Sequence, residues 1–484
     1  MKIRPAAAVS GRPGERAGRL RPPRVLEERG KRMDLIKPFI EHILYPVMEK
    51  KKGNRIRTYL EELKQSQSRS REELMREQEE KLGRILLFSI HNVEAYKGLA
   101  GDGLEELIRR DPRAALLRFP VLPKQVFKAD PDRYLADGAD RARLIPNTTG
   151  GSSGEPTHFY IDRVTVEHFE AARWRGLSWS GITPGSRSVM IWGNPFELSK
   201  AEEKSYYRKE KFLKNRIMIP AYGLKPQAMA EYIKTIEAYR PEYFYGYASA
   251  LAVFARLMLE QGRRLSFTPK AVVSTSESLF PFQRELIGRA FGCAVINEYG
   301  ARDGGILAYE CPCGRLHITC ENAMVEVVDQ KTLEPAPAGQ PGLILVTDLN
   351  NYSMPRLRYA LGDTVTLSDE TCPCGMELPV MNSVEGREDD TFVTTEGGFV
   401  HGVAFNNIIK RSLGVTKFQI VQFSPDRAEL SLVTGEGGEP EGFAGIMEDI
   451  RALLPGTEIS VKYVEDIPVT ASGKYRYAIR KFEL

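Results

Sequence analysis

Between residues 100 and 390, short apolar runs alternate with helical patterns, which restricts the chain to layered α/β architecture. Ser188–Trp192, Ala271–Ser274 and Leu343–Thr347 read as strands, while Glu231–Ile236 and Phe282–Ile287 read as helices. The stretch from Met33 to about Leu99 is mostly helical, with Ser70-Arg71-Glu72-Glu73 in the form of a capping box. Its charged run from Arg71 to Lys81 is expected to be a solvated helix face. After Asp390 the pattern changes to short strands and helices, with Gly435–Gly442 as a loop. At 484 residues the chain is too long for one ordinary core. The expected division is a leader (1–32), a large domain (33–386, with a helical lead-in at 33–99) and a small C-terminal domain (387–484).

Charge is unevenly spread. Residues 1–32 hold ten Lys/Arg against three Glu, so seven positive charges sit there and the other residues sum to −3 within a net +4. A slightly acidic body argues against a broad nucleic-acid surface. The leader has no apolar core for a secretory signal and reads as a disordered tail or as sequence upstream of a start at Met33. No apolar run approaches the length of a membrane-spanning helix, so stable membrane insertion is not expected.

The run Thr148-Thr149-Gly150-Gly151-Ser152-Ser153-Gly154-Glu155-Pro156-Thr157 suits a polyphosphate, because glycine permits close backbone approach and hydroxyls add donors. It is not a Walker A loop, since Gly154 is followed by Glu155 and Pro156 rather than Lys and Ser/Thr. Downstream come Asn297-Glu298-Tyr299-Gly300-Ala301-Arg302-Asp303, Tyr359-Ala360-Leu361-Gly362-Asp363, Gly386-Arg387-Glu388-Asp389-Asp390 and Pro468-Val469-Thr470-Ala471-Ser472-Gly473-Lys474. In this order they resemble the core motifs of the adenylate-forming (acyl-CoA synthetase) superfamily, over about residues 140 to 484. Tyr245–Ala250, Ser274–Leu279 and Leu349–Tyr359 bring the likeness closest to the phenylacetate-CoA ligase and CapK-like branch.

That resemblance implies an α/β fold with a large N-terminal adenylation domain and a small mobile α+β C-terminal domain. It implies that Thr148, Thr149, Gly150, Gly151, Ser152, Ser153 and Gly154 cradle the β- and γ-phosphates of ATP. Tyr299 and Asn297 face adenine beside Gly300, Ser276 and Glu277 border it, and Asp363 with Arg387 holds the ribose. Lys474 bridges the substrate carboxylate and the α-phosphate, and Asp389 is the interdomain hinge. The family usually has a Glu that helps to bind Mg²⁺ where this chain has Asp303, preceded by Arg302; Asp303 keeps a hard oxygen ligand on a shorter arm.

Five of the six cysteines fall into two clusters, Cys311-Pro312-Cys313 with Cys320, and Cys372-Pro373-Cys374. Such pairs, with His317 between them, suit a tetrahedral structural Zn²⁺ site. By analogy with the related branch the ligands are Cys311, His317, Cys372 and Cys374, with Cys313 the rival. Cys293 is expected in the core. A cytoplasmic location, in which disulfides are rare, accords with this usage.

Taken together, the expected activity is ATP-dependent conversion of a small carboxylic acid, aryl or acyl, to an acyl-AMP and then to a CoA thioester. One alternative keeps adenylation with a non-CoA acceptor, as in polysaccharide or cofactor biosynthesis; another is a non-catalytic nucleotide-binding protein. Pocket walls are expected near Tyr245, Gly246 and Ser274, and a homodimer would suit the branch.

Overall fold

The computed structural model describes residues 36–484 except 102, 150–156, 193–199, 222–223, 388–390, 397–398, 410–413, 436–438, 441, 469–475 and 483–484. An 11-stranded sheet dominates it. One half is parallel, in the order Arg216–Pro220, Ser188–Trp192, Tyr243–Tyr247, Ala271–Thr275, Ala294–Ala301. The direction reverses at Gly305–Glu310, and Leu316–Ile318, Val380–Arg387, Tyr359–Ser368, Pro341–Asp348 and Ala323–Val328 continue antiparallel to the far edge.

The central parallel strands Tyr243–Tyr247 and Ala271–Thr275 are buried on both faces, as βαβ crossovers require. On one side Met229–Tyr239, Ala248–Glu260 and Pro281–Phe291 pack Ile233, Ile236, Phe254, Ile287 and Phe291 against Val189, Phe244 and Val272. On the other, Arg163–Ser178 brings Leu177 over Tyr243, Tyr245, Val273 and Ile296. Fully buried Arg175 on that helix pairs with Glu321 at 2.5 Å, and Ser66 donates to the same carboxylate. A buried ion pair adds little net stability, but removing one partner would strand a charge, so the contact fixes which surfaces meet.

Every strand and helix named from the sequence is present. The capping box at Ser70 opens the helix Arg71–Asn92, with Glu73 N–H donating to the Ser70 hydroxyl and Ser70 N–H to the Glu73 carboxylate. This helix differs from the expected solvated face. Leu74 and Gln78 are buried, and Gln78 donates to Cys320 O and Ala323 O. Polar residues in the charged run thus satisfy backbone groups of the neighbouring loop, which the charge pattern alone could not show.

A separate C-terminal domain follows. Its four-stranded sheet runs in the order Glu458–Tyr463, Arg427–Thr434, Val415–Ser424, Ala478–Arg480. With the helices Gly402–Ile409 and Phe443–Leu453 it closes a core of Phe392, Phe405, Ile420, Leu430, Leu432 and Ile450. No α-helix among the described residues is long and apolar enough to cross a membrane.

Candidate active site

Open α/β sheets bind ligands beyond the carboxyl ends of their parallel strands, and the sequence motifs converge there. Ser276 and Glu277 follow the strand Ala271–Thr275 directly. Ser276 takes φ +65°, a left-handed turn that redirects the chain, and Glu277 accepts from Ser249 N–H at the start of the helix Ala248–Glu260. A carboxylate at a helix N-terminus is favoured by the helix dipole.

Asn297, Tyr299 and Gly300 lie on the last parallel strand, where Asn297 N–H donates to Glu310. A Cβ on Gly300 would stand 2.5 Å from Gly305 O, so only glycine permits this turn into the antiparallel half. Tyr299 is nearly buried, and its hydroxyl donates to Asp363 Oδ2 at 2.8 Å. Asp363 is in turn the register partner of Arg387 on the neighbouring antiparallel strand. Three residues separated by 64 and 24 positions in sequence are therefore gathered at one place by strand pairing.

Thr148 ends the strand Ile145–Thr148, and Thr149 closes the base of the loop that follows: its N–H donates to Thr157 O and its hydroxyl accepts from Thr157 N–H. Gly150, Gly151, Ser152, Ser153 and Gly154 lie outside the described residues, as do Asp389 and Lys474. Arg302, whose role was open from the sequence, donates to Thr148 O at 3.1 Å and ties the tyrosine motif to the base of this loop.

Asp303 is the expected Mg²⁺ ligand, and its surroundings do not fit that task. Its carboxylate is buried, pairs with Lys124 at 3.0 Å and accepts from Tyr359 OH at 3.0 Å, while Arg356 donates to its backbone carbonyl. A cation there would have to displace an ammonium. Burial pushes the Asp303 carboxyl upward, but Lys124 and Arg356 outweigh it and hold the group below the usual aspartate range. The arrangement is that of a buried ion pair rather than of a metal ligand.

Lys124 was not evident from the sequence. It is placed by a single-residue bridge: Leu122 N–H donates to Arg358 O and Leu122 O accepts from Ala360 N–H, which lays Lys124 over the strand bearing Tyr359. Replacing Lys124 by Met is expected to cost about 3 kcal/mol of folding stability by stranding a buried carboxylate, and adding Asp303→Asn should restore most of it. In wild type a depressed carboxyl gives stability that is present above the unfolded aspartate pKa and lost as pH falls through the lower folded value. The deficit of the Lys124→Met variant should therefore shrink below about pH 4 in denaturant titrations.

A second polar group missed by the sequence reading sits at the same strand ends. Glu298 is buried and accepts from Tyr245 OH at 2.6 Å, Thr275 Oγ1 at 3.0 Å and Arg173 Nε at 3.3 Å. Of the expected pocket walls, Gly246 is packed so closely that a Cβ would meet Ile191 O at 2.5 Å, and Ser274 Oγ is buried without a hydrogen-bond partner among the described residues.

The cysteine clusters converge beside the sheet. One ligand atom each from Cys311, His317, Cys372 and Cys374 lies within 4.8 Å of the others. Cys311 Sγ is 3.6 Å from Cys372 Sγ, and Cys374 Sγ is 3.2 Å from His317 Nε2. Zn–S bonds of about 2.3 Å and Zn–N bonds of about 2.0 Å at tetrahedral angles require ligand separations of roughly 3.5–3.8 Å; the Cys311–Cys372 separation matches that, while Cys374 and His317 would have to move slightly apart for the four to hold one ion. His317 Nδ1 faces Leu378 O at 3.2 Å, and a proton donated there would leave Nε2 free to ligate. Cys313 is exposed and stands outside the group. Cys293 is partly buried, and burial pushes its thiol up to about 12.

The chain is similar to several known proteins. Residues 392–481 match the CapK C-terminal domain. The chain is 27% identical to protein CapK of Staphylococcus aureus over 377 residues, covering 76% of this chain and 81% of that protein. The chain is similar to the adenylate-forming ligases, and most of all to their CapK-like branch. This CapK-like chain is also 25% identical to phenylacetate-coenzyme A ligase of Thermus thermophilus, covering 67% of the chain and 72% of the relative. It is 29% identical to indoleacetate–lysine synthetase of Pseudomonas savastanoi, covering 65% and 74%. Among solved structures, 2-hydroxyisobutyryl-CoA ligase in the postadenylation state, in complex with 2-HIB-AMP, shares the fold at TM-score 0.60 and 17% identity, covering 84% of this chain and 89% of that one.

Proposed function

We propose that this CapK-like ligase uses ATP to convert a small carboxylic acid, aryl or acyl, to an acyl-AMP and passes the acyl group to the thiol of CoA. The carboxylate oxygen attacks the α-phosphorus and pyrophosphate leaves. The thiol sulfur then attacks the acyl carbon, AMP leaves, and the thiol proton passes to solvent. The observation that carries the reading is the Tyr299–Asp363 hydrogen bond, with Arg387 in register beside it. A carboxylate held there would accept from two ribose hydroxyls, next to an aromatic ring suited to adenine. Thr148 and Thr149 would present the phosphate loop, and Lys474 would bridge the two anions. The zinc site would serve structure, because four protein ligands leave no open position for substrate.

One relative favours a second acceptor: indoleacetate–lysine synthetase is named for lysine, an amine, at an identity comparable to that of the CoA ligase. Incubation with ATP, an acid panel and CoA is expected to give AMP and an acyl-CoA thioester. AMP and acyl-AMP without thioester, converted to amide when amines are added, would assign the amine acceptor instead.

A further inference from the structure

The first described helical segment, residues 36–52, presents an apolar stripe to solvent. Phe39, Ile43 and Val47, four residues apart, are 49%, 55% and 58% exposed. That spacing puts them on one face of a helix. The opposite face is fixed to the domain. Ile40 is buried against Gly185, Lys37 pairs with Glu242 at 2.9 Å, and Thr183 donates to Glu41 at 3.1 Å. The stripe is thus held outward by a firmly docked helix. The helix Lys200–Lys214 packs beside the turn Ile40–Leu44, and there Phe212 is 66% exposed and Leu213 is 39% exposed.

The exposed charges at the end of the first segment and on the described part of the second are basic, and Glu41, half-buried between Phe39 and Ile43, is engaged by Thr183. Lys50, Lys51 and Lys52 are exposed at the end of the first segment, and Arg208, Lys209 and Lys211 are exposed on the second. The acids nearest them are turned inward: Glu49 is buried and paired with Arg57, and Glu210 is buried and paired with Lys214. Exposed aromatic and branched side chains bordered by basic residues, on a helix too short and polar to span a bilayer, are the pattern of a helix that lies in a lipid interface. We infer that this face docks on an anionic lipid surface, with Phe39, Ile43 and Val47 entering the headgroup boundary and the lysines meeting phosphate or carboxylate headgroups. A second copy of the chain is a poor occupant, because a twofold contact would set these like charges against one another.

Sedimentation of the full chain with vesicles tests the assignment. Phosphatidylcholine vesicles with about 30% phosphatidylserine should retain the protein at least ~10-fold better than phosphatidylcholine alone, and ~0.5 M salt should weaken that retention. Phe39→Ser with Ile43→Ser removes apolar contact without changing charge, and should lower retention ~10-fold while the melting temperature and acid-dependent activity stay unchanged. Absence of binding to anionic vesicles would overturn the assignment, as would equal retention of the double variant. So would light scattering that shows a wild-type dimer and a monomeric double variant, because a second copy would then cover the stripe.

Discussion

Replacing Asp363 by alanine is expected to lower acid-dependent kcat/KM about 10³-fold, close to 4 kcal/mol of transition-state stabilisation. The reasoning is local. A carboxylate accepting from two ribose hydroxyls makes two charge-assisted hydrogen bonds, each worth about 1.5–3 kcal/mol. Tyr299 donates to the same carboxylate at 2.8 Å and sets its rotation, so Tyr299→Phe should cost less, about 10-fold. Because Asp363 lies in a strand between Leu361 and Val365, which are both buried, the alanine variant should keep its fold. Steady-state kinetics with saturating acid checks both values. An Asp363→Ala enzyme within a few-fold of wild type would remove the ribose role.

The second large effect is expected from removing a ligand of the proposed zinc site. The four candidate ligands join a hairpin at residues 311–317 to a loop at 372–374, and the strands that flank them, Leu316–Ile318 and Val380–Arg387, are neighbours in the large sheet. Metal would hold this crossing point, where His317 and Val380 are register partners. Metal analysis should find one zinc per chain. Cys374→Ser should reduce that stoichiometry and cost several kcal/mol of stability, with a marked fall in melting temperature. Exposed Cys313 is the built-in control, since Cys313→Ser should keep both metal and stability. A metal-free wild-type protein as stable as the purified one would contradict the assignment.

Much of the candidate site could be proposed from sequence because its parts are short and contiguous. Asn297–Gly300, Ser276–Glu277 and Asp363 each lie within a single strand or the turn that follows it, so short contiguous motifs could carry the family resemblance that proposed them. The strands themselves were readable because doubly buried parallel strands show as unbroken apolar runs, as at Ala271–Thr275. What escaped was tertiary. Lys124 reaches Asp303 across 179 positions through the Leu122 bridge, and no pattern around Pro123-Lys124 marks it. Glu298 stood inside a recognised motif, yet its partners Arg173 and Tyr245 come from a helix and a strand far upstream. Gln78 escaped for the same reason, because a polar residue in a charged run gives no sign that backbone carbonyls wait for it.

The central claim is that this chain forms an acyl-AMP, and exchange of labelled pyrophosphate into ATP across an acid panel tests it most directly. The account predicts exchange that requires a particular acid and falls at least ~100-fold, about 2.7 kcal/mol, in Lys474→Ala. Nucleotide binding by calorimetry without exchange for any acid, or exchange equally strong in Lys474→Ala, would contradict it.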